Sequence, residues 1–519
     1  IKVYFFNLFV CLKTKEINSN KRSTPQDTSY VAAVVEYEVS RNVEHNLETY
    51  TQLIADAARQ NADIVIFPEL TLTNSSTSFA VPFHGLLKTY PIPALYPDYY
   101  DDLLVQMSAA ARENEIYLVI NTQEFMDCTD NDTGEYCPEA KQYLFNTNVV
   151  FDRTGAVIDR YRKINLFGEA SRTPALNPDL GIFETDFGVT FGHFVCFDLM
   201  FQVPAIQVVQ KYKLTDVVFT TMWFSELPYL TAVEIQEAYA YSMNVNFLAA
   251  GANNVGVGSA GSGIFSGKAG ALVSIMPGVP TTRLLVSRVP KVPGQVTEPV
   301  PGPIYDNPAD HDSLVLITDP SLPAHISRVL TDGFQEFTLY LPLNRICKSK
   351  KIFQVYKYRA AAFSGVRSFT GVATGGSRVC CVVACTDDTM VSCGHRFETY
   401  AANSTALFEE LLITATFPSP VIEPELECDD SAVFPVALKT NIMPLEPISY
   451  TYDVNNNGDT TVYNLNLKEF DYDLYNFAVW GRVFATDGLD ADPPVDDSAG
   501  VKNIANGLVI FVAFFMLLR

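Results

Sequence analysis

A large α/β domain followed by a smaller, β-rich, disulfide-braced module is the fold class this sequence predicts, and three observations predict it. From Tyr30 to about Val289, short β-branched runs alternate with amphipathic stretches, the rhythm of strands and helices laid down in turn. Across 290–303 (PKVPGQVTEPVPGP) prolines and glycines punctuate the chain and helical periodicity largely stops, which marks a linker. Beyond it, short alternating runs such as SLVLITD, FTLYLPL and RVCCVVAC carry most of the cysteines, as in β modules braced by disulfides. Length and composition agree. With 519 residues, 48% of them hydrophobic and 18% charged, the chain holds more than one core, and disorder, collagen and coiled coil are excluded.

Five segments follow: a signal-like stretch over 1–26, the α/β domain over 27–289, the linker over 290–303, the β-rich domain over 304–485, and an acidic stalk with an apolar tail over 486–519. Lys2 precedes an apolar run from Val3 to Val10 and then a polar run from Lys13 to Thr28, the layout of a secretory signal. The acceptor sequons at Asn74, Asn131 and Asn403 agree with export and glycosylation. The tail Gly507 to Leu518 is apolar but short of the ~20 residues a spanning helix needs. Ser498, Ala499 and Gly500 upstream, followed by a polar spacer, give it the form of a glycosylphosphatidylinositol-anchor signal with Ser498 as the anchor site. The expected location is secreted or on the extracellular face of the cell membrane, held by that anchor, as a monomer or weak oligomer. A net charge of −23 repels polyanions and argues against nucleic acid as a partner.

Of ten cysteines, Cys11 would leave with the signal and Cys196 stands alone in an apolar strand pattern. The remainder suggest up to four bridges: Cys128 with Cys137 across a short polar loop, and pairings among Cys347, Cys380, Cys381, Cys385, Cys393 and Cys428. A zinc cluster of Cys380, Cys381, Cys385, Cys393 and His395 is the alternative, but its spacing matches no ordinary two-plus-two ligand set. No metal is expected.

Strands are predicted at Tyr30–Tyr37, Asp63–Pro68, Ile116–Asn121, Leu144–Phe151, Thr190–Phe197 and Asp216–Thr221. The clearest helix is Asn42–Gln60, where Val43, Leu47, Tyr50 and Ile54 recur at helical spacing; others are Tyr99–Glu113, Pro204–Tyr212 and Ala232–Met243.

Glu69, Lys163 and Cys196 each stand at the carboxyl end of a strand-like run, where catalytic groups of α/β folds gather. Cys196 ends VTFGHFVC and is expected to begin a helix running towards Lys211; a helix amino terminus lowers a thiol's pKa and offers amides to a developing oxyanion. A carboxylate can accept the thiol proton and later activate water, while an ammonium can stabilise the oxyanion and help protonate the departing amine. Together such groups cleave a carbon–nitrogen bond. A lone cysteine in an apolar strand is ordinarily core, and a lysine or glutamate after a strand is ordinarily solvated, so spacing alone leaves both readings open.

The local segments FPEL around Glu69, YRKINLFGE around Lys163 and CFDLMF around Cys196 resemble, in that order, the three signature segments of the nitrilase superfamily of carbon–nitrogen hydrolases. Within it, 222–251, GSGIF (261–265), the Cys380–Cys381 pair and the anchor-like tail resemble the vanin and biotinidase branch. The resemblance implies a four-layer α-β-β-α sandwich with a C-terminal β-rich domain, and hydrolysis of secondary amides such as pantetheine or biotin conjugates. It implies Glu69 as general base, Lys163 as proton donor and oxyanion stabiliser, and Cys196 as the nucleophile of a thioester intermediate, with no metal or organic cofactor. Pantetheine is the leading candidate substrate and biotinyl-lysine the next; a non-catalytic cell-surface binding module is the rival from another class. Glu169 resembles a second glutamate that positions the lysine or substrate, and Asp198 and Trp223 are candidates to line the pocket. His193 lies three residues before Cys196, so strand alternation turns it to the opposite face. The residues Gln202, Val203 and Pro204 and the segment Asn253–Ser259 differ from vertebrate members of the branch, which leaves the substrate open.

Overall fold

The computed structural model describes residues 22–129, 137–331, 335, 339, 356–397, 406, 408–468, 473–494 and the strand 514–518. Asn131, Cys347, Asn403, Ser498 and the signal-like segment through residue 21 lie outside the described residues.

In the first domain the strands are β1 (Ser29–Glu38), β2 (Ile64–Ile66), β3 (Tyr117–Asp127), β4 (Gln142–Phe151), β5 (Val157–Arg162), β6 (Gly181–Glu184), β7 (Thr190–Val195), β8 (Asp216–Thr221), β9 (Glu226–Leu227), β10 (Asn246–Asn253), β11 (Ser262–Ser266), β12 (Ala271–Ile275) and β13 (Arg283–Pro290). Its helices are α1 (Val43–Arg59), α2 (Leu86–Thr89), α3 (Asp102–Asn114), α4 (Gln207–Gln210) and α5 (Ala232–Met243). One sheet runs β13-β1-β2-β3-β4-β5 and the other β6-β7-β8-β10-β11-β12. Alternation along β1 shows how they stack: Ala33, Val35 and Tyr37 face the core shared with α1 and α3, whereas Tyr30, Ala32 and Val34 face Phe191, Val218 and Leu248 of the second sheet. With α5 covering the other face of that second sheet, the layers are α-β-β-α.

Local signals explain the elements. Asn42 caps α1 by accepting from His45 N at 3.2 Å, and Glu234 closes a capping box on Thr231 at the start of α5. The expected helix from Pro204 to Tyr212 forms over most of that range, as a π-helical turn ending at Ile206 that runs directly into α4 (Gln207–Gln210). Val203 before it is extended (φ −111°, ψ 121°), as a residue before proline prefers.

Past the proline-rich segment the chain returns to the first domain before leaving it. The short strand β14 (Gly302–Ile304) pairs with β12, and β15 (Ile317–Thr318) pairs with β9. Then β16 (Ile326–Val329), β17 (Lys357–Phe369), β18 (Ala373–Cys385), β19 (Phe408–Pro418), β20 (Ile422–Glu423), β21 (Cys428–Asp429), β22 (Ser431–Lys439), β23 (Tyr450–Asn456), β24 (Thr460–Leu467) and β25 (Leu474–Val483) build the second domain. Its main sheet runs β16-β17-β18-β25-β22, with β22 lying against α5. The strand Phe514–Leu518 pairs antiparallel with β19. Disulfides join Cys128 to Cys137 and Cys385 to Cys393. The wider pairing expected for Cys380, Cys381 and Cys428 is corrected: all three are buried free thiols. Cys380 and Cys381 are neighbours on β18, whose alternation points them to opposite faces.

Several carboxyls are buried without a full cationic partner. Burial pushes Glu36 up to about 7 and Glu234 and Glu237 up to about 8. These groups hold a proton in the fold that the unfolded chain has already lost, so their contribution is complete below the unfolded value and disappears as pH rises through 7 to 8. Each is worth about 1.4 kcal/mol per pH unit in that window. Burial lowers His311 and His325, which works in the opposite sense only below their unfolded value of about 6.5. The thermal unfolding midpoint is therefore expected to rise from pH 8.5 to pH 6.5, and Glu237→Gln is expected to flatten that rise; a midpoint falling over the same interval contradicts it.

Candidate active site

Three strand ends bring the predicted residues together. Pro68 follows β2 and leaves Glu69 beyond the strand tip; Lys163 directly follows β5; Cys196 directly follows β7. The chain reverses sharply at Cys196, whose φ of 48° is a left-handed conformation costing about 1–2 kcal/mol for a residue with a Cβ. That turn, continued by a short 3₁₀ segment Cys196–Met200, aims the thiol off the sheet edge.

The Lys163 ammonium donates to Glu69 Oε1 at 2.8 Å and to Glu169 Oε1 at 2.5 Å. Met222 N–H donates to the other Glu69 oxygen at 2.7 Å, and the Cys196 thiol points at the Met222 carbonyl, 3.6 Å away. Both lysine and cysteine are at most 5% exposed. Burial alone would lower Lys163, but the charges of Glu69 and Glu169 and the hydrogen bond to Glu169 outweigh it and hold the ammonium protonated. Burial raises Glu169, and Lys163, Asn146 and Arg172 more than offset it, leaving its carboxyl below the ordinary range.

The thiol behaves opposite to the sequence expectation. Burial, then the Glu69 carboxylate, push the Cys196 pKa up, and Lys163 only partly offsets them. The expected helix dipole is missing because the segment after Cys196 is a five-residue 3₁₀ turn, too short to sum peptide dipoles. The resting site therefore holds a thiol beside a carboxylate, and attack by sulfur must be coupled to removal of its proton.

Glu169 joins the cluster through Lys163. Asp198 does not face the cavity beside Cys196; it is fully buried and accepts from Tyr161 Oη at 2.6 Å, Asn165 N at 2.8 Å and Val195 N at 3.2 Å, tying the loop after Lys163 to the turn at Cys196. Trp223 does line the cavity, its indole N–H held by the Leu230 carbonyl at 2.9 Å. His193 lies 2.8 Å from Asp159 Oδ2 and 3.3 Å from Asn148 Nδ2, apart from the thiol. Asn146 went unnoticed in the sequence. Its amide donates to both Glu69 Oε1 (2.7 Å) and Glu169 Oε2 (3.0 Å), and its oxygen accepts from Asn121 at 2.8 Å. The signal was available: Asn146 and Asn148 share one face of a mostly apolar buried strand, and buried amides need partners.

Beside Cys196 opens a half-open cavity lined by Phe167, Cys196, Phe197, Met200, Trp223, Phe224, Glu226, Leu230, Phe369 and Thr370. Half of these residues are aromatic, and with Met200 and Leu230 the walls are mostly apolar, suited to an uncharged, apolar-bodied ligand.

The carbon-nitrogen hydrolase family model matches residues 31–275, and the vanin C-terminal domain model matches residues 345–487. Vanin-like protein 1 of Drosophila melanogaster is 32% identical over 462 residues, covering 84% of this chain and 81% of its own. Vanin-like protein 2 of the same organism is 35% identical, covering 82% and 83%. Human biotinidase is 35% identical over 271 residues, 51% of this chain and 49% of its own. Two domain matches in the right order and relatives matched over most of both lengths show that this chain belongs to the vanin and biotinidase branch of the carbon–nitrogen hydrolases, enzymes that hydrolyse carbon–nitrogen bonds other than peptide bonds.

Proposed function

We propose that the chain is an extracellular amidase acting through Cys196, Glu69 and Lys163, with pantetheine as substrate, yielding pantothenate and cysteamine. The observation that carries the mechanism is the convergence at Met222: Glu69 accepts its N–H while the Cys196 thiol faces its carbonyl, with the Lys163 ammonium on the same carboxylate. As sulfur attacks the amide carbonyl, Glu69 takes the thiol proton and Lys163 stabilises the oxyanion. Collapse breaks the carbon–nitrogen bond, and the amine leaves with the proton held at Glu69. Water then gives a proton to Glu69 and attacks the thioester, releasing acid and restoring the thiol. Glu169 and Asn146 act as positioning residues, since each touches Lys163 or Glu69 and Asn146 touches both glutamates.

The likeness to biotinidase supports a second substrate reading, biotinyl amides. Two disulfides and the Asn74 sequon, in a loop where Asn74 is only partly buried, support an exported glycoprotein; the lipid anchor at Ser498 belongs to the same proposal. Mass spectrometry after brief incubation with pantetheine and, separately, biocytin is the test. The expected result is a pantothenoyl adduct on the peptide containing Cys196. A biotinyl adduct alone would transfer the assignment to the second reading, and no adduct with any linear amide, together with no amine release, would leave a binding module.

A further inference from the structure

Two walls of the cavity beside Cys196 come from the other domain. Phe369 is the last residue of β17 and Thr370 begins the turn into β18, so the tip of a second-domain hairpin reaches the nucleophile of the first. The Phe369 ring meets Phe197, the residue after Cys196, edge to face at 5.4 Å. Two guanidinium groups hold that ring: Arg367 lies 4.6 Å from its centroid and Arg482 5.3 Å. Neither arginine is free to move. Arg367 is fully buried and pairs with Glu226 and with Asp319 across the domain boundary, the latter at 3.3 Å. Arg482, on β25, donates through Nε to the Met200 carbonyl at 2.9 Å, gripping the far end of the turn that Cys196 begins.

We propose that Phe369 and Thr370 are specificity-determining residues: the second domain supplies the wall that measures the apolar body of the amide, while the first domain supplies the chemistry. The inference rests on the cavity at Cys196 being the amide site. A packed aromatic wall clamped by two buried arginines is rigid, and a rigid wall discriminates by size. The two domains therefore form one active site, and the fit of the hairpin tip decides which linear amides reach the sulfur.

The test compares wild type with Phe369→Ala, Phe369→Leu and Thr370→Trp in the full chain, measuring kcat and KM for pantetheine and for biocytin, and the rate at which iodoacetamide alkylates Cys196. Enlarging the pocket with Phe369→Ala is expected to raise the pantetheine KM about 10-fold or more and to shift the biocytin-to-pantetheine ratio of kcat/KM by at least as much. Phe369→Leu should shift it less, and Thr370→Trp should shift it the other way. Alkylation by so small a reagent should stay within about twofold of wild type, a readout that separates a selecting wall from a mere prop for the nucleophile turn. Wild-type turnover with an unchanged ratio in all three variants overturns this inference alone, as does a fall in alkylation parallel to the fall in kcat. A wild type that hydrolyses neither amide overturns the amide-site reading and this inference with it.

Discussion

Cys196→Ala is expected to reduce amine release from a linear amide by about 10⁴-fold or more, because the covalent route loses its only nucleophile and the remaining groups can offer no thioester. The fold should survive. Cys196 is a small buried side chain at a turn already strained in the wild type, and deleting one sulfur costs about 1 kcal/mol. Cys196→Ser is expected to be nearly as inactive, since a hydroxyl keeps the volume while presenting a far weaker nucleophile to the same Glu69. The double variant Cys196→Ala with Glu69→Gln should be no slower than Cys196→Ala alone, as groups acting as one unit are strongly non-additive. Steady-state amine release with matched unfolding curves checks this. A folded Cys196→Ala protein within tenfold of wild type would remove the sulfur from the reaction.

How much of this was legible in the sequence depends on the kind of signal each residue leaves. The helix Val43–Arg59 was readable because burial of one face imposes a period, and Asp216–Thr221, buried at every position, because a short β-branched run bounded by polar residues reads as a core strand. Glu69, Lys163 and Cys196 were readable because each stands just past a strand-like run, and the sheets bring such ends to one rim. The direction of the thiol's pKa was not. It depends on how far the helix after Cys196 runs and on the closeness of a carboxylate 127 positions earlier in the chain, and neither is a local property. Asp198 reads as a pocket candidate from its place near Cys196, but its oxygens are consumed by Tyr161, Asn165 and Val195. Asn146 left a signal that periodicity treats as noise: polar residues on the inward face of a strand. Phe369 and Thr370 left none, because a hairpin tip becomes a pocket wall only when two domains dock.

Lys163→Met is expected to carry the second large effect, and it separates the lysine's chemical role from its structural one. The ammonium lies between Glu69 and Glu169, whose side chains are 4% and 12% exposed. Without it, two carboxylates sharing Asn146 confront each other in a poorly solvated site, and leaving a buried charge unpaired costs about 3–5 kcal/mol. One of them must then take up a proton near neutral pH. Activity should fall about 10³-fold or more, since the oxyanion loses its cation and the base is partly protonated. The stability deficit should depend on pH with a definite sign. Lys163 holds Glu169 below its ordinary value in the wild type, and in the variant burial and the facing Glu69 carboxylate raise it against only Asn146 and Arg172, so the variant binds more protons in its fold than the wild type does and loses stability relative to wild type as pH rises. The difference in unfolding midpoint should therefore be larger at pH 8 than at pH 5. Adding Glu169→Gln should recover much of the pH 8 stability by removing one of the two charges, yet restore none of the activity. Recovery of turnover in that double variant would make Lys163 a neutraliser of Glu169 rather than a participant in amide cleavage.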